Sequence, residues 1–345
     1  MKLQPDYDAL NYAHGEPVLR GVFKQQADDF LVEEELGFRP DGEGEHEFLY
    51  VEKIGLTTAQ LQLELAKAFR LPVQKVSYAG LKDKLGITRQ WFSIHSGLKS
   101  PAVELNELPV GVRVLERLRN QRKLQRGSHR GNRFHVSLRS CVALADQWQQ
   151  RVHDIAAIGV PNYFGPQRFG RNNLEQVCAW FADESRAPRA RNQRSMLLSS
   201  ARSFIFNAVL SDRVGQQSWN RALPGEEWAL SGSTRTFADS QADAVTLEQR
   251  LREFDIHPTG PLWGEGGNKT ADVVAALETS VIARYPELTQ GLQRHGLLQE
   301  RRPLRLQVLD LQSELNGDVL TLRFRLGRGS YATAVLRELV NTEMS

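Results

Sequence analysis

Cysteine is scarce: the 345 residues contain two, Cys141 and Cys178, too few and too widely spaced for a disulfide framework or a zinc ribbon. No uninterrupted apolar run approaches the roughly 18 residues that suggest a membrane-spanning helix. The opening residues, Met1 to Asp8, have neither the basic nor the apolar region of a secretory signal. The expectation is a cytoplasmic, reduced protein without a membrane partner. None of the eight histidines sits in a His-x-x-x-His pair with Glu, so a helical zinc site has no basis. No strand runs into a Gly-x-Gly turn, which leaves no dinucleotide or S-adenosylmethionine pocket. Gly264-Glu265-Gly266-Gly267-Asn268-Lys269-Thr270 resembles a phosphate loop, but Asn268 replaces the glycine required before the lysine. Asp41-Gly42-Glu43-Gly44-Glu45-His46 lacks the ligand count of a calcium loop. Chemistry without metal or organic cofactor is therefore expected.

Lysine is also scarce, ten against 34 arginines. Arginine binds phosphate through a planar fork and stacks on bases, so the imbalance leans toward nucleic acid, although high-GC codon usage produces the same excess. Position separates the two explanations better. Residues 1–52 carry thirteen acids against four bases, whereas residues 111–139 carry nine bases and the single acid Glu116. Five arginines, Arg186, Arg189, Arg191, Arg194 and Arg202, then follow in a stretch without an acid. The pattern predicts a polarised surface whose basic face follows a phosphate backbone. The candidate backbone contacts are Arg122, Lys123, Arg126, Arg130, Arg191 and Arg194.

With 41% apolar and 25% charged residues, the chain is an ordinary globular one of about two domains. Alternation predicts strands at residues 46–53, 73–79, 90–95, 112–118 and 134–139. Thr57 and Gln60 form a potential capping box for a helix running to about Arg70. A basic, Gly-containing loop is expected between the fourth and fifth of these strands, and a helix over residues 143–157. The middle of the chain reads mainly as helices, including 199–214 and 269–277. Alternation returns after Pro303, around an Asn316-Gly317 turn, and a closing helix starts near Ser330. Strands at both ends need one another as partners, which predicts a discontinuous α+β domain, residues 1–158 and 304–345, with a central antiparallel or mixed sheet. A mostly helical insert would occupy residues 159–303.

The loop Gly80-Leu81-Lys82-Asp83-Lys84 sets one carboxylate between two ammonium groups, with Thr88 and Gln90 just beyond. Neighbouring cations favour the carboxylate form, which suits a nucleophile or a base more than a general acid. The same loop also fits a solvated hairpin tip. Phe30 and Phe134 fit core positions as readily as stacking platforms, and Asn132 is able to bond a base edge.

Taken together, Lys24 with Ala27-Asp28-Asp29-Phe30, the acidic turn 41–46, Gly80-Leu81-Lys82-Asp83-Lys84 with Thr88 and Gln90, and Gly131-Asn132 with Phe134 resemble the N-terminal motifs of the tRNA pseudouridine synthase D family, called TruD. Val160-Pro161-Asn162-Tyr163-Phe164-Gly165-Pro166-Gln167-Arg168-Phe169-Gly170 resembles the start of its insert domain. Arg194-Ser195 through Asn207 and Gly329 to Asn341 resemble later blocks. The resemblance implies the pseudouridine-synthase catalytic fold, interrupted by a TRUD domain, and conversion of a D-arm uridine (uridine-13) of tRNA to pseudouridine. It implies Asp83 as the catalytic residue, and Phe30 and Asn132 in the uridine pocket. Lys24, Lys82, Gln90, Phe134 and Tyr331 complete the set of substrate-binding candidates. Tyr331 stands where the family commonly has phenylalanine. The residues leave open whether Asp83 attacks the sugar, attacks the base or removes a sugar proton. A monomer without an obligate protein partner is expected. The runner-up is a non-catalytic RNA-binding protein or RNA chaperone on the same fold, against which the intact Gly-Leu-Lys-Asp-Lys loop argues. A methyltransferase is disfavoured by the missing nucleotide pocket.

Overall fold

The computed structural model describes residues 6–98, 108–233, 235–238 and 243–344. These fall into two compact units. One comprises residues 17–152, 308–332 and 339–345, within those bounds; the other comprises 1–16, 153–307 and 333–338.

In chain order the first unit runs through β1 (Leu19–Phe23), β2 (Phe30–Leu36), β3 (His46–Ile54), α1 (Thr58–Ala68), β4 (Val76–Tyr78), β5 (Ile87–His95), β6 (Val112–Asn120) and β7 (His129–Ala143). The capping box of α1 is present in both directions, with Gln60 N donating to Thr57 Oγ1 at 3.2 Å and Thr57 N to Gln60 Oε1 at 2.9 Å. Leu61, Leu65 and Ala66 of this helix pack on Leu49, Val51, Phe92 and Ile94 of the sheet.

Helix α2 (Trp148–Ile158) begins five residues later than its periodicity suggests. The reason is that β7 continues to Ala143, where it pairs with β1. The basic segment expected to be a loop is shortened at both ends by strand, Arg119 lying on β6 and Arg130 and Arg133 on β7, while residues 121–128 form the connection. Over residues 131–136 β7 is paired on both edges, by β2 and β15, so its backbone is satisfied while its charges project from one face.

The second unit contains β8 (Val160–Pro161), α3 (Asn173–Ala182), α4 (Arg191–Gly215), β9 (Trp228–Leu230), β10 (Thr236–Phe237), α5 (Ala244–Arg252), β11 (Ile256–Leu262), α6 (Asp272–Ile282), α7 (Pro286–Arg294), β12 (Glu300–Pro303) and β13 (Arg305–Leu306). Besides the expected helices it holds a sheet in the order β10-β9-β11-β12. Strand β11 is masked in the sequence by Pro258, Gly260 and Pro261. It forms because its first half pairs with β9 and its second with β12, so neither partner has to bond the whole strand. The chain then returns to the first unit through β14 (Leu309–Asn316), β15 (Val319–Gly327) and β16 (Val340–Met344), while most of α8 (Ala332–Leu339), between the last two, belongs to the second unit.

The large sheet of the first unit is mixed, ordered β14-β15-β7-β2-β5-β3-β6, with β1 joining β7 and β16. The alternation expected in β15 is met: Leu320, Leu322 and Phe324 are buried and face Leu138, Val136 and Phe134 across the register.

In the second unit Arg213 and Glu226 form an ion pair at 2.8 Å with both side chains buried. Burial raises the Glu226 pKa, opposed by the Arg213 charge. Removing one member strands the other's charge in a dry interior, so Arg213→Met is expected to destabilise the protein by about 3–5 kcal/mol. The double change Arg213→Met, Glu226→Leu should recover most of that. Urea denaturation followed by tryptophan fluorescence tests both, and equal losses in the single and double variants would contradict the pairing.

Candidate active site

Alternation along β2 sorts Phe30, Val32 and Glu34 onto one face and Leu31, Glu33 and Glu35 onto the other. The register with β7 places Val136, Phe134 and Asn132 opposite the first three, and β15 adds Phe324 opposite Phe134. One face therefore carries a run of rings: Phe23 to Phe30 at 5.5 Å between centroids, Phe30 to Phe134 at 6.1 Å, and Phe134 to Phe324 at 5.3 Å. On the other face Glu33 pairs with Arg89 at 2.7 Å and Glu35 with Arg133 at 3.0 Å.

The loop joining β4 to β5 meets the Phe30 end of this face. A Cβ at Gly86 would sit 2.6 Å from the Phe30 carbonyl oxygen, and Gly86 has φ +105°, so both space and backbone demand glycine. The loop's backbone is anchored along its length. Gln90 Nε2 donates to the Gly80 carbonyl at 3.1 Å, Lys82 N to Thr58 Oγ1 at 2.9 Å, and Gly55 N to the Lys84 carbonyl at 3.2 Å. The Thr58 hydroxyl in turn donates to Gln90 Oε1 at 2.9 Å.

Three lysines meet this loop. Lys82 turns inward, its ammonium 2.6 Å from Glu34 Oε2 in a buried pair, and Glu34 Oε1 accepts from Trp91 N at 3.2 Å. Lys53 is 0% exposed and donates to the carbonyls of Asp83 and Leu56, both at 2.7 Å. Burial pushes its pKa down to about 8; the Asp83 charge opposes this and the Lys82 charge adds to it. Lys24 donates to Asp83 Oδ2 at 3.1 Å, and its ammonium lies 4.0 Å from the centroid of the Phe30 ring. Its φ of +60° is left-handed, a conformation costing a non-glycine residue about 1–2 kcal/mol. The Asp83 carboxylate faces out, 56% exposed, at the mouth of this arrangement.

Of the residues singled out in the sequence, Lys24, Phe30, Lys82, Asp83 and Gln90 thus meet in one network. Phe134 lies behind Phe30, and Asn132 sits in register with Glu34. The Asn132 side-chain oxygen is buried with no hydrogen-bond partner among the described residues. Tyr331 is half-buried where β15 runs on into α8. Arg122, Lys123, Arg126 and Arg130 are exposed in the same unit, Arg126 stacking 3.2 Å above the centroid of the Tyr78 ring. Arg191 and Arg194 are exposed in the first turn of α4 in the other unit.

Glu34 and Lys53 were missed. Both carried a signal: alternation puts Glu34 on the Phe30 face and Lys53 on the face of Leu49 and Val51, where a charge has no reason to be unless something receives it. Among the described residues no cluster of His, Cys, Asp or Glu is placed to hold a metal, and no helix is long and apolar enough to cross a membrane.

A family model described as tRNA pseudouridine synthase D (TruD) matches residues 6–180 and 182–339. A protein of Nitrosococcus oceani named tRNA pseudouridine synthase D is 45% identical over 97% of this chain and 94% of its own length. Proteins with the same name from Methylococcus capsulatus and Stutzerimonas stutzeri are 42% and 44% identical, covering 97% and 95% of this chain and 95% of each relative. The crystal structure of a putative tRNA pseudouridine synthase D from Methanosarcina mazei shares the fold, with a TM-score of 0.72 over 98% of both chains at 20% identity.

The depressed Lys53 pKa sets a pH dependence. Its ordinary value is 10.5 and its folded value about 8, so between these limits the unfolded chain holds a proton that the folded chain does not. Stability contributed by this site therefore rises with pH through the window and is flat below it. Lys53→Met should abolish that slope. Urea denaturation of both proteins at about pH 7.5, 8.5 and 9.5 checks the sign, and a wild type that loses stability relative to the variant across the window would overturn it.

Proposed function

We infer the reaction from two facts together: the chain belongs to the tRNA pseudouridine synthase D family, and its exposed Asp83 carboxylate is held at 3.1 Å by Lys24, whose ammonium lies over the Phe30 ring. The chain is a tRNA pseudouridine synthase, an isomerase. We propose that its substrate is uridine-13 of the D-arm, that Asp83 is the catalytic carboxylate, and that no cofactor takes part. In the net change the C1′–N1 bond breaks, the uracil turns, a C1′–C5 bond forms, C5 loses its proton and N1 takes one up. No electron pair enters or leaves the whole, so the reaction needs no oxidant or reductant.

On this reading Phe30 and Tyr331 pack against the flipped base, and the unpartnered Asn132 oxygen accepts from its N3–H. Lys24 orients the carboxylate. Lys82 and Gln90 act from behind the loop through Glu34 and Gly80, and Phe134 supports Phe30. Arg122, Lys123, Arg126 and Arg130, with Arg191 and Arg194, hold phosphates. The catalytic domain is then the discontinuous one, residues 1–158 and 304–345, and the insert, 159–303, serves RNA binding in the cytoplasm by a monomer.

The decisive measurement is tritium release from tRNA labelled at C5 of uridine, with no cofactor added. Wild type should release tritium, and Asp83→Asn should lose about 10²–10⁴-fold in rate with tRNA affinity changed less than about threefold. Full activity in Asp83→Asn removes the catalytic assignment. A folded, tRNA-binding wild type that releases nothing would instead mark a non-catalytic RNA-binding protein.

Phosphate binding has a separate signature. Replacing Arg122, Lys123 and Arg130 with Gln should weaken tRNA binding and reduce the slope of log affinity against log salt by about 0.7–0.9 for each phosphate left without its cation. An unchanged slope counts against their placement on the backbone.

A further inference from the structure

Among the described residues six large apolar side chains are at least 69% exposed, and two of them, Leu81 at 74% and Leu85 at 69%, flank Asp83. Looseness of the loop does not explain them. Its backbone is fixed at Gly80, Lys82, Asp83 and Lys84 by the bonds from Gln90, to Thr58, from Lys53 and from Gly55. The same anchored segment turns the charged Lys82 side chain inward onto Glu34 and leaves two leucines in water, the reverse of what burial alone would select. The leucines therefore face whatever approaches Asp83.

We propose that Leu81 and Leu85 form an apolar wedge that enters the RNA stack beside the target uridine and occupies the space it vacates. The proposal rests on the reading of Asp83 as the catalytic group, and extends it to how the base is extruded. A stacked uridine has to leave its neighbours before a carboxylate can reach it, and apolar side chains inserted between bases are a known means of holding such a gap open. The surroundings suit that partner: Lys24 is bonded to Asp83 between the two leucines, and Lys84 is exposed beside Leu85, which supply attraction for the RNA backbone.

The test compares wild type, Leu81→Ala/Leu85→Ala and Leu81→Met/Leu85→Met on two tRNA transcripts tritiated at C5 of uridine. One transcript is intact; in the other the nucleosides on both sides of the target are abasic, so no stack has to be parted. The alanine variant should lose about ten- to a hundredfold in kcat/KM on the intact transcript and stay within about threefold of wild type on the abasic one, whereas the methionine variant should stay near wild type on both. Because both side chains are solvent-exposed, the melting temperature should be unchanged. Equal losses on the two transcripts, or none on the intact one, would overturn the wedge. A second readout does not need turnover. In an Asp83→Asn background, tRNA with 2-aminopurine beside the target should brighten several-fold on binding when both leucines are present and not when both are alanine. If Asp83→Asn proves fully active, the catalytic reading fails while this fluorescence test still decides the wedge.

Discussion

The register of β7 is the constraint on which the site depends. This strand is paired to β2 on one edge and to β15 on the other, and a slip of one residue on either side would carry Asn132 and Phe134 to the opposite face. What locks the register is close approach. A Cβ at Gly131 would lie 2.4 Å from the Leu326 carbonyl oxygen, so β7 approaches β15 this closely only because Gly131 has no side chain. The succession Gly131-Asn132-Arg133-Phe134 then has a physical reading at every step: close contact, polar group in the site, outward charge, ring in the stack.

The electrostatics of the loop follow from that face. Glu34 is buried opposite Asn132, where an isolated carboxylate would be costly, and it is stabilised by the Lys82 ammonium. A buried pair of this kind adds little net stability over an apolar pair; what it does supply is a fixed position for Lys82 and so for its neighbour Asp83. Lys53 repeats the logic without a carboxylate of its own, directing its charge at two carbonyls, one belonging to Asp83. Burial of that ammonium is unfavourable in isolation, as its lowered pKa records.

Legibility in the sequence differed from element to element. The mixed sheet followed from period-two alternation in β3, β7 and β15, and α1 from its capping box, because both signals are local. Strand β11 was hidden, since its two prolines argue against a strand until one knows that two partners share it. The start of β7 was hidden for a related reason: arginine and glycine read as loop when the strands that pair with them are distant in sequence. At the site, the motif residues of the loop were visible as a charge cluster, whereas Glu34 and Lys53 were visible only as charges on apolar faces. The resemblance identified Asp83 as special, but the pattern of burial explains how it is held.

That pattern links two properties of the loop. Leu81 and the run Asp83-Lys84-Leu85 are exposed, while Lys82 between them and Gly86 after them turn toward the sheet. Because the backbone is anchored at successive residues, the carboxylate and the leucines cannot be displaced independently: a shift that moves Asp83 along the loop moves Leu81 and Leu85 with it. The groups that would meet the ribose and those that would meet the neighbouring bases are thus positioned by one set of hydrogen bonds, whose donors and acceptors, Thr58, Gln90 and Lys53, are all buried beneath the loop. Preorganisation of this kind lowers the cost of ordering the site when RNA arrives, and it accounts for the presence of buried polar groups on a sheet face that is otherwise aromatic and aliphatic.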